Sequence, residues 1–113
     1  MLRIIAAITA CAALSGCYDP ADNCKNDNSA KIGAFVASKT FVSKALRSPS
    51  TAEYPNYRAS GVIVNFEREC HFKVAGYVDS QNGFGGTVRT RYIIDMEADP
   101  VDGGYWGRNL ITD

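Results

Sequence analysis

Residues 70–78 read CHFKVAGYV and residues 88–96 read VRTRYIIDM, and these two stretches decide the fold. In the first, Cys70, Phe72, Val74 and Val78 alternate with His71, Lys73, Ala75 and Tyr77. In the second, Val88, Thr90, Tyr92, Ile94 and Met96 form the inward set, while Arg89, Arg91, Ile93 and Asp95 point outward. Such alternation is that of a half-buried strand, because successive side chains leave opposite faces of the pleat. Between the two runs lie residues 79–86 (DSQNGFGG), whose Asn82-Gly83 and further glycines have the composition of a hairpin connection.

Reading outward, residues 61–66 place Val62, Val64 and Phe66 on one side, and a turn at Glu67-Arg68 leads into the strand at Cys70. Downstream, Asp99-Pro100 and Asp102-Gly103-Gly104 turn the chain into a short last strand over 105–111. Upstream, Asn28 or Ser29 caps a helix running to about Arg47. At 100° per residue Ile32, Phe35, Val42, Ala45 and Leu46 share a side with Phe41 at its margin, and Thr40, Ser43, Lys44 and Arg47 lie opposite. Lys44 and Arg47 suit the negative end of the helix dipole, and Pro49 disfavours helical geometry at Ser48 and ends the run. One helix followed by a meander must cover the apolar side of the sheet. The expected fold is therefore α+β: one N-terminal helix on a three- to four-stranded antiparallel sheet, in two layers.

The 113 residues are 46% apolar and 21% charged, which excludes a multi-domain enzyme, a solenoid and a polytopic membrane protein. Twelve basic and twelve acidic side chains sum to zero, so no nucleic-acid partner is expected. Met1-Leu2-Arg3 is a short positive start, followed by an apolar run over 4–14 and the small pair Ser15-Gly16. That is the layout of a secretory signal peptide, too short to cross ~30 Å of hydrocarbon as a helix.

The tetrapeptide Leu14-Ser15-Gly16-Cys17 resembles the lipobox of bacterial lipoproteins. The resemblance implies cleavage before Cys17, a diacylglyceryl group on its thiol and an acylated amino group. Two or three acyl chains hold a domain firmly where one does not. The chain then divides into a signal peptide (1–16), a lipid-anchored tether (17–29) and one domain (30–113). Tyr18 stands where an Asp retains such lipoproteins at the inner membrane, which implies the periplasmic side of the outer membrane in a Gram-negative host. The resemblance implies that Cys11 leaves with the leader and that Cys17 is acylated. Cys24 and Cys70 remain as an even pair in an oxidising compartment, where a disulfide is the default. Closing that loop of roughly 45 residues contributes about 4 kcal/mol through the unfolded chain.

No chemistry-bearing constellation accompanies this framework. His71 is the only histidine and lies outward, which leaves too few ligands for zinc; no metal and no cofactor are expected. There is no Gly-x-Ser-x-Gly elbow, and no carboxylate pair falls on inward positions. Gly83-Phe84-Gly85-Gly86-Thr87 lacks the Lys-Ser/Thr of a phosphate loop. The outward set His71, Lys73, Tyr77, Arg89 and Arg91 against Glu67, Asp95 and Glu97 reads as a solvated face of mixed sign. The 79–86 loop is longer than a tight hairpin needs, so Gln81, Asn82 and Phe84 are candidates for partner contact. A competing reading has Asp79, Gln81 and Asn82 bracing the turn internally.

Two segments, LRSPSTAEYP (46–55) and GYVDSQNGFG (76–85) with Val88-Arg89 after it, resemble a family of small uncharacterised bacterial and phage proteins. Those pair an SPSTA-x-aromatic-P stretch after a helix with a YVDxQNxFG turn between strands. The resemblance spans about residues 39–96 and implies an α+β domain often presented from a membrane anchor; it brings no catalytic residue. The sequence thus points to a non-enzymatic envelope lipoprotein. Its expected partners are membrane lipid through acylated Cys17 and an envelope protein or cell-wall component. The alternative is a small lipoprotein inhibitor of a cell-wall hydrolase or of phage entry.

Overall fold

The computed structural model describes residues 20–113; the expected leader over 1–16, the 14–17 motif and the expected acylation position Cys17 lie outside the described residues. A 3-10 turn at Pro20–Cys24 precedes helix α1 (Asn28–Ser43), and a second 3-10 turn at Pro49–Thr51 follows it. Strands β1 (Ile63–Arg68), β2 (His71–Gln81), β3 (Thr87–Ala98) and β4 (Tyr105–Thr112) then form one antiparallel sheet in sequence order. One helix on one face of this sheet is the α+β two-layer arrangement the alternation calls for.

The N-cap of α1 is Asp27, just ahead of the expected Asn28 or Ser29. Its extended backbone (φ −143°, ψ 170°) lets the carboxylate accept the Ala30 N–H at 2.8 Å. A carboxylate there also suits the positive end of the helix dipole. The helix stops at Ser43, short of Arg47. Beyond it, the Ala45 and Leu46 N–H groups reach back three residues to Val42 and Ser43, tightening the chain and carrying Leu46 onto the core.

The buried side of α1 is also rotated from the expected one. Ala30, Ala34, Phe35, Ser38 and Val42 are buried, whereas Ile32 and Ala45 are exposed. Small side chains at the centre of the contact let the helix backbone approach the sheet, and the large ones then fill the flanks. Buried Ser38 satisfies its hydroxyl by donating to the Phe35 carbonyl at 2.6 Å. Facing this stripe are Phe72, Val74 and Val78 from β2 and Tyr92, Ile94 and Met96 from β3. Val88 has the right parity but is 43% exposed. A 16-residue helix is ~24 Å long, while the 11-residue β2 is ~36 Å, so the far end of the hairpin extends past its cover.

The first turn lies at Glu69-Cys70 instead of Glu67-Arg68, with Arg68 paired to His71. Cys70 sits in the left-handed region at φ 67° and joins three segments. It is disulfide-bonded to Cys24, its N–H donates to the Cys24 carbonyl at 3.2 Å, and its carbonyl accepts the Ala98 N–H at 2.7 Å. The lead-in, the β1–β2 turn and the end of β3 are thereby stitched at one end of the sheet.

Gly107 of β4 is fixed by packing. A Cβ there would lie 2.8 Å from the Phe41 ring and 3.0 Å from Ile94 Cδ1. Gly107→Ala is expected to cost about 1–3 kcal/mol through displacement of Phe41, read as a lower melting temperature. Separating Cys24 from Cys70, 46 positions apart, is expected to cost about 4 kcal/mol on the chain-entropy account. A Cys24→Ala/Cys70→Ala double variant melting like the native chain would refute that figure.

Candidate functional site

Two surfaces bear on function: the sheet face that α1 leaves open, and the tip of the β2–β3 hairpin. On the open face the register aligns outward residues in rows across the strands. Ile63 pairs with Ala75, Ala75 with Ile93, and Ile93 with Ile111, an apolar row over all four strands. Ile63, Ile93 and Ile111 are 56%, 42% and 64% exposed. Ile111 owes its place to a bulge. Between the Ile93 and Asp95 pairings β4 carries an extra residue, and Asn109 takes φ 58°. The bulge reverses the parity of the residues after it, turning Leu110 toward the core and Ile111 outward. Nothing in the spacing of residues 105–111 announces this.

Charged rows flank the apolar one. On the side toward the disulfide, Lys73 lies 3.2 Å from Asp95, whose other oxygen accepts the Asn109 amide at 3.0 Å. Glu97 accepts from Arg108 at 3.1 Å and lies 3.6 Å from His71 Nε2. On the hairpin side, Arg89 makes a two-bond pair with Asp79 at 2.8 and 3.0 Å and stacks over Tyr77 at 4.1 Å. Arg91 meets Asp113 at 2.6 Å. An open trough of about 470 Å³ lies here, its walls including Gly61, Ala75, Tyr77, Arg91, Ile93 and Ile111. Exposed ion pairs of this kind each contribute little to stability. Their larger effect is to fix a pattern of sign.

At the hairpin tip the structure separates the three contact candidates. Asn82 Oδ1 accepts the N–H groups of Phe84 and Gly86 at 2.8 and 3.0 Å, so its side chain is spent inside the loop. The exposed Gln81 is held through its N–H, which donates to Thr51 Oγ1 at 2.9 Å. Phe84 projects from this braced loop at 99% exposure. Thr51 also donates to the Ser48 carbonyl at 2.7 Å, and Glu53 and Asp79 exchange both backbone bonds at 2.7 and 3.0 Å. The 46–55 and 76–85 segments therefore meet in space: the post-helix stretch caps the free edge of β2 just before the loop. Sequence reasoning singles out both segments without placing them against each other.

His71 is half-buried on the open face, its Nδ1 against the Glu69 carbonyl at 2.8 Å. Among the described residues no cluster of three His, Cys, Asp or Glu is placed to hold a metal ion.

Four carboxyls are held below their ordinary value. Hydrogen bonds from Arg89 lower Asp79, and the Asn109 amide, followed by Lys73, lowers Asp95. Backbone N–H groups of Val101 and Asp102 lower Asp99; the Arg91 N–H and then its guanidinium lower Asp113. A folded value below the unfolded one means stabilisation that is complete above the unfolded carboxylate range near 4 and lost as pH falls through the folded values. The melting temperature is thus expected to hold between pH 5 and 8 as far as these groups govern it, and to decline below about pH 4. A melting series across that range checks it, and Asp79→Asn with Asp113→Asn should flatten the acid limb. Comparison with protein-family models, curated proteins and solved structures finds no match to this chain, so what these surfaces bind is argued from their own chemistry.

Proposed function

We propose that this chain is a lipid-anchored, non-enzymatic binding module of the cell envelope, acylated at Cys17 and presenting the Phe84 loop to an envelope protein. The observation that carries this reading is the placement of the two ends. The Cys24–Cys70 bond lies at the start of β2, and Phe84 lies beyond its far end. Cys17 precedes Cys24 by seven positions, a reach of at most ~24 Å, while 11-residue β2 alone spans ~36 Å. An anchor at Cys17 holds the disulfide end near the bilayer and points the hairpin tip away from it.

The tip has the makings of a contact. Its backbone is already ordered by Asn82 and Thr51, so little conformational freedom remains to be lost on binding. A fully exposed aromatic ring gains by entering an apolar pocket of the kind an envelope protein can offer. The same protruding loop also supports the inhibitor reading, in which Phe84 enters the cleft of a cell-wall hydrolase.

Growth with a palmitate analogue tests the anchor: the native chain takes up label and Cys17→Ser does not, and an unlabelled native chain overturns it. Phe84→Ser tests the contact. It should lower recovery of the cross-linked envelope partner about tenfold, or ~1.4 kcal/mol, with an unchanged melting temperature. Unchanged recovery removes the loop from the interface. Relief of muramidase inhibition by the same substitution would select the inhibitor reading.

A further inference from the structure

We infer that the open face of the sheet is a self-association surface, on which a second copy of this chain packs face to face. The apolar row Ile63, Ala75, Ile93 and Ile111 is too exposed for a face built only to meet water. What identifies the occupant is the arrangement of charge around that row. From the disulfide end toward the hairpin tip, β2 presents His71, Lys73, Ala75, Tyr77 and Asp79. The residues paired to them on β3 are Glu97, Asp95, Ile93, Arg91 and Arg89. Lys73 is thus met by Asp95 and Asp79 by Arg89, each its opposite in sign, while Arg91 is met by the Tyr77 ring.

Sheets packed face to face keep their strands within about 30° of alignment. A half-turn about an axis parallel to the strands, between β2 and β3, meets that condition and lays β2 of one copy over β3 of the other. Lys73 then faces the partner's Asp95, Asp79 faces the partner's Arg89, and Tyr77 faces the partner's Arg91. Ile63 falls over the partner's Ile111, so the two apolar rows coincide. Because the operation is two-fold, each contact occurs twice, as an isologous interface requires. A half-turn about the row itself is also complementary, with Asp95 over the partner's Arg91, but it sends the two Cys24 ends in opposite directions. The choice of axis therefore rests on the lipid-anchor reading: only the axis along the strands leaves both copies anchored in one membrane, with both Phe84 loops at the distal end. Self-association itself does not rest on that reading.

Four strands at ~4.8 Å and the nine residues from Arg89 to Glu97 at ~3.3 Å bound the patch at roughly 570 Å² in projection. That is below the ~800 Å² each partner contributes to a standard stable interface. The dimer is accordingly weak in dilute solution and is reinforced when both copies share a membrane.

The test uses the full chain in cells, with a photo-cross-linking phenylalanine analogue in place of Ile93. The expected product has twice the mass of one chain and contains this chain alone. Lys73→Glu and Asp95→Lys, expressed singly, should each reduce it about tenfold, since like charges then face across the interface. Co-expressing the two variants should restore it, because each altered charge then faces an opposite one. No product of double mass, a product containing a different protein, or single variants that cross-link as well as the native chain would each overturn the inference. Restoration by the pair Arg91→Glu and Asp95→Lys, with none by the first pair, overturns the axis and the same-end anchoring. Failure of the anchor is read separately, from the palmitate label.

Discussion

A four-stranded sheet has two faces, and among the described residues α1 is the one long helix positioned to cover either of them. That constraint organises the molecule. The face under α1 takes Phe72, Val74, Val78, Tyr92, Ile94 and Met96 out of water. No element among the described residues covers the other face. It carries ion pairs across β2, β3 and β4, and through them runs a row of isoleucines. A sheet stabilised from one side alone is workable for an antiparallel meander, and it leaves a large ordered surface free for contact.

The second organising element is the stitch at Cys70. A domain of this size buries a smaller share of its surface than a larger one, so cross-links weigh heavily in its stability. Here the disulfide, the Cys24 carbonyl and the Ala98 N–H converge on one residue, which ties the lead-in to the end of the sheet farthest from the hairpin loop. At the other end the 46–55 stretch closes the edge of β2 through Thr51 and Glu53. An edge with unpaired N–H and C=O groups invites unwanted pairing; the bonds from Glu53 and Thr51 cover it there. The protein is thus fastened at both ends of one long hairpin, and its proposed roles derive from the distance between the fastenings.

Much of the fold is legible in residues 70–78 and 88–96, because a half-buried strand has to alternate and little else produces alternation of that length. The helix is legible as an element but not in its rotation. Ile32 attracts a hydropathy reading, yet Ala30, Ala34 and Ser38 face the sheet, since close approach of backbones rewards small side chains over large ones, and Ala45 falls beyond the helix end at Ser43. The open face is half legible: the outward charges of β2 and β3 follow from parity, but their matching row by row needs the register. For the loop, the sequence admits both bracing and contact, and the structure divides them, with Asn82 turned inward and Phe84 outward.

The amino-acid sequence by itself determines the two-layer architecture, the inward faces of β2 and β3 and the identity of the cross-linking cysteines, because each depends on local periodicity or on simple counting. The tertiary structure decides the position of the first turn, the β4 bulge that brings Ile111 to the open face, and the meeting of Thr51 with Gln81 and of Glu53 with Asp79. These depend on which residue ends up opposite which across long separations. Only packing and register settle that, since hydrogen bonding is available to every backbone and a single shifted residue reverses every face beyond it.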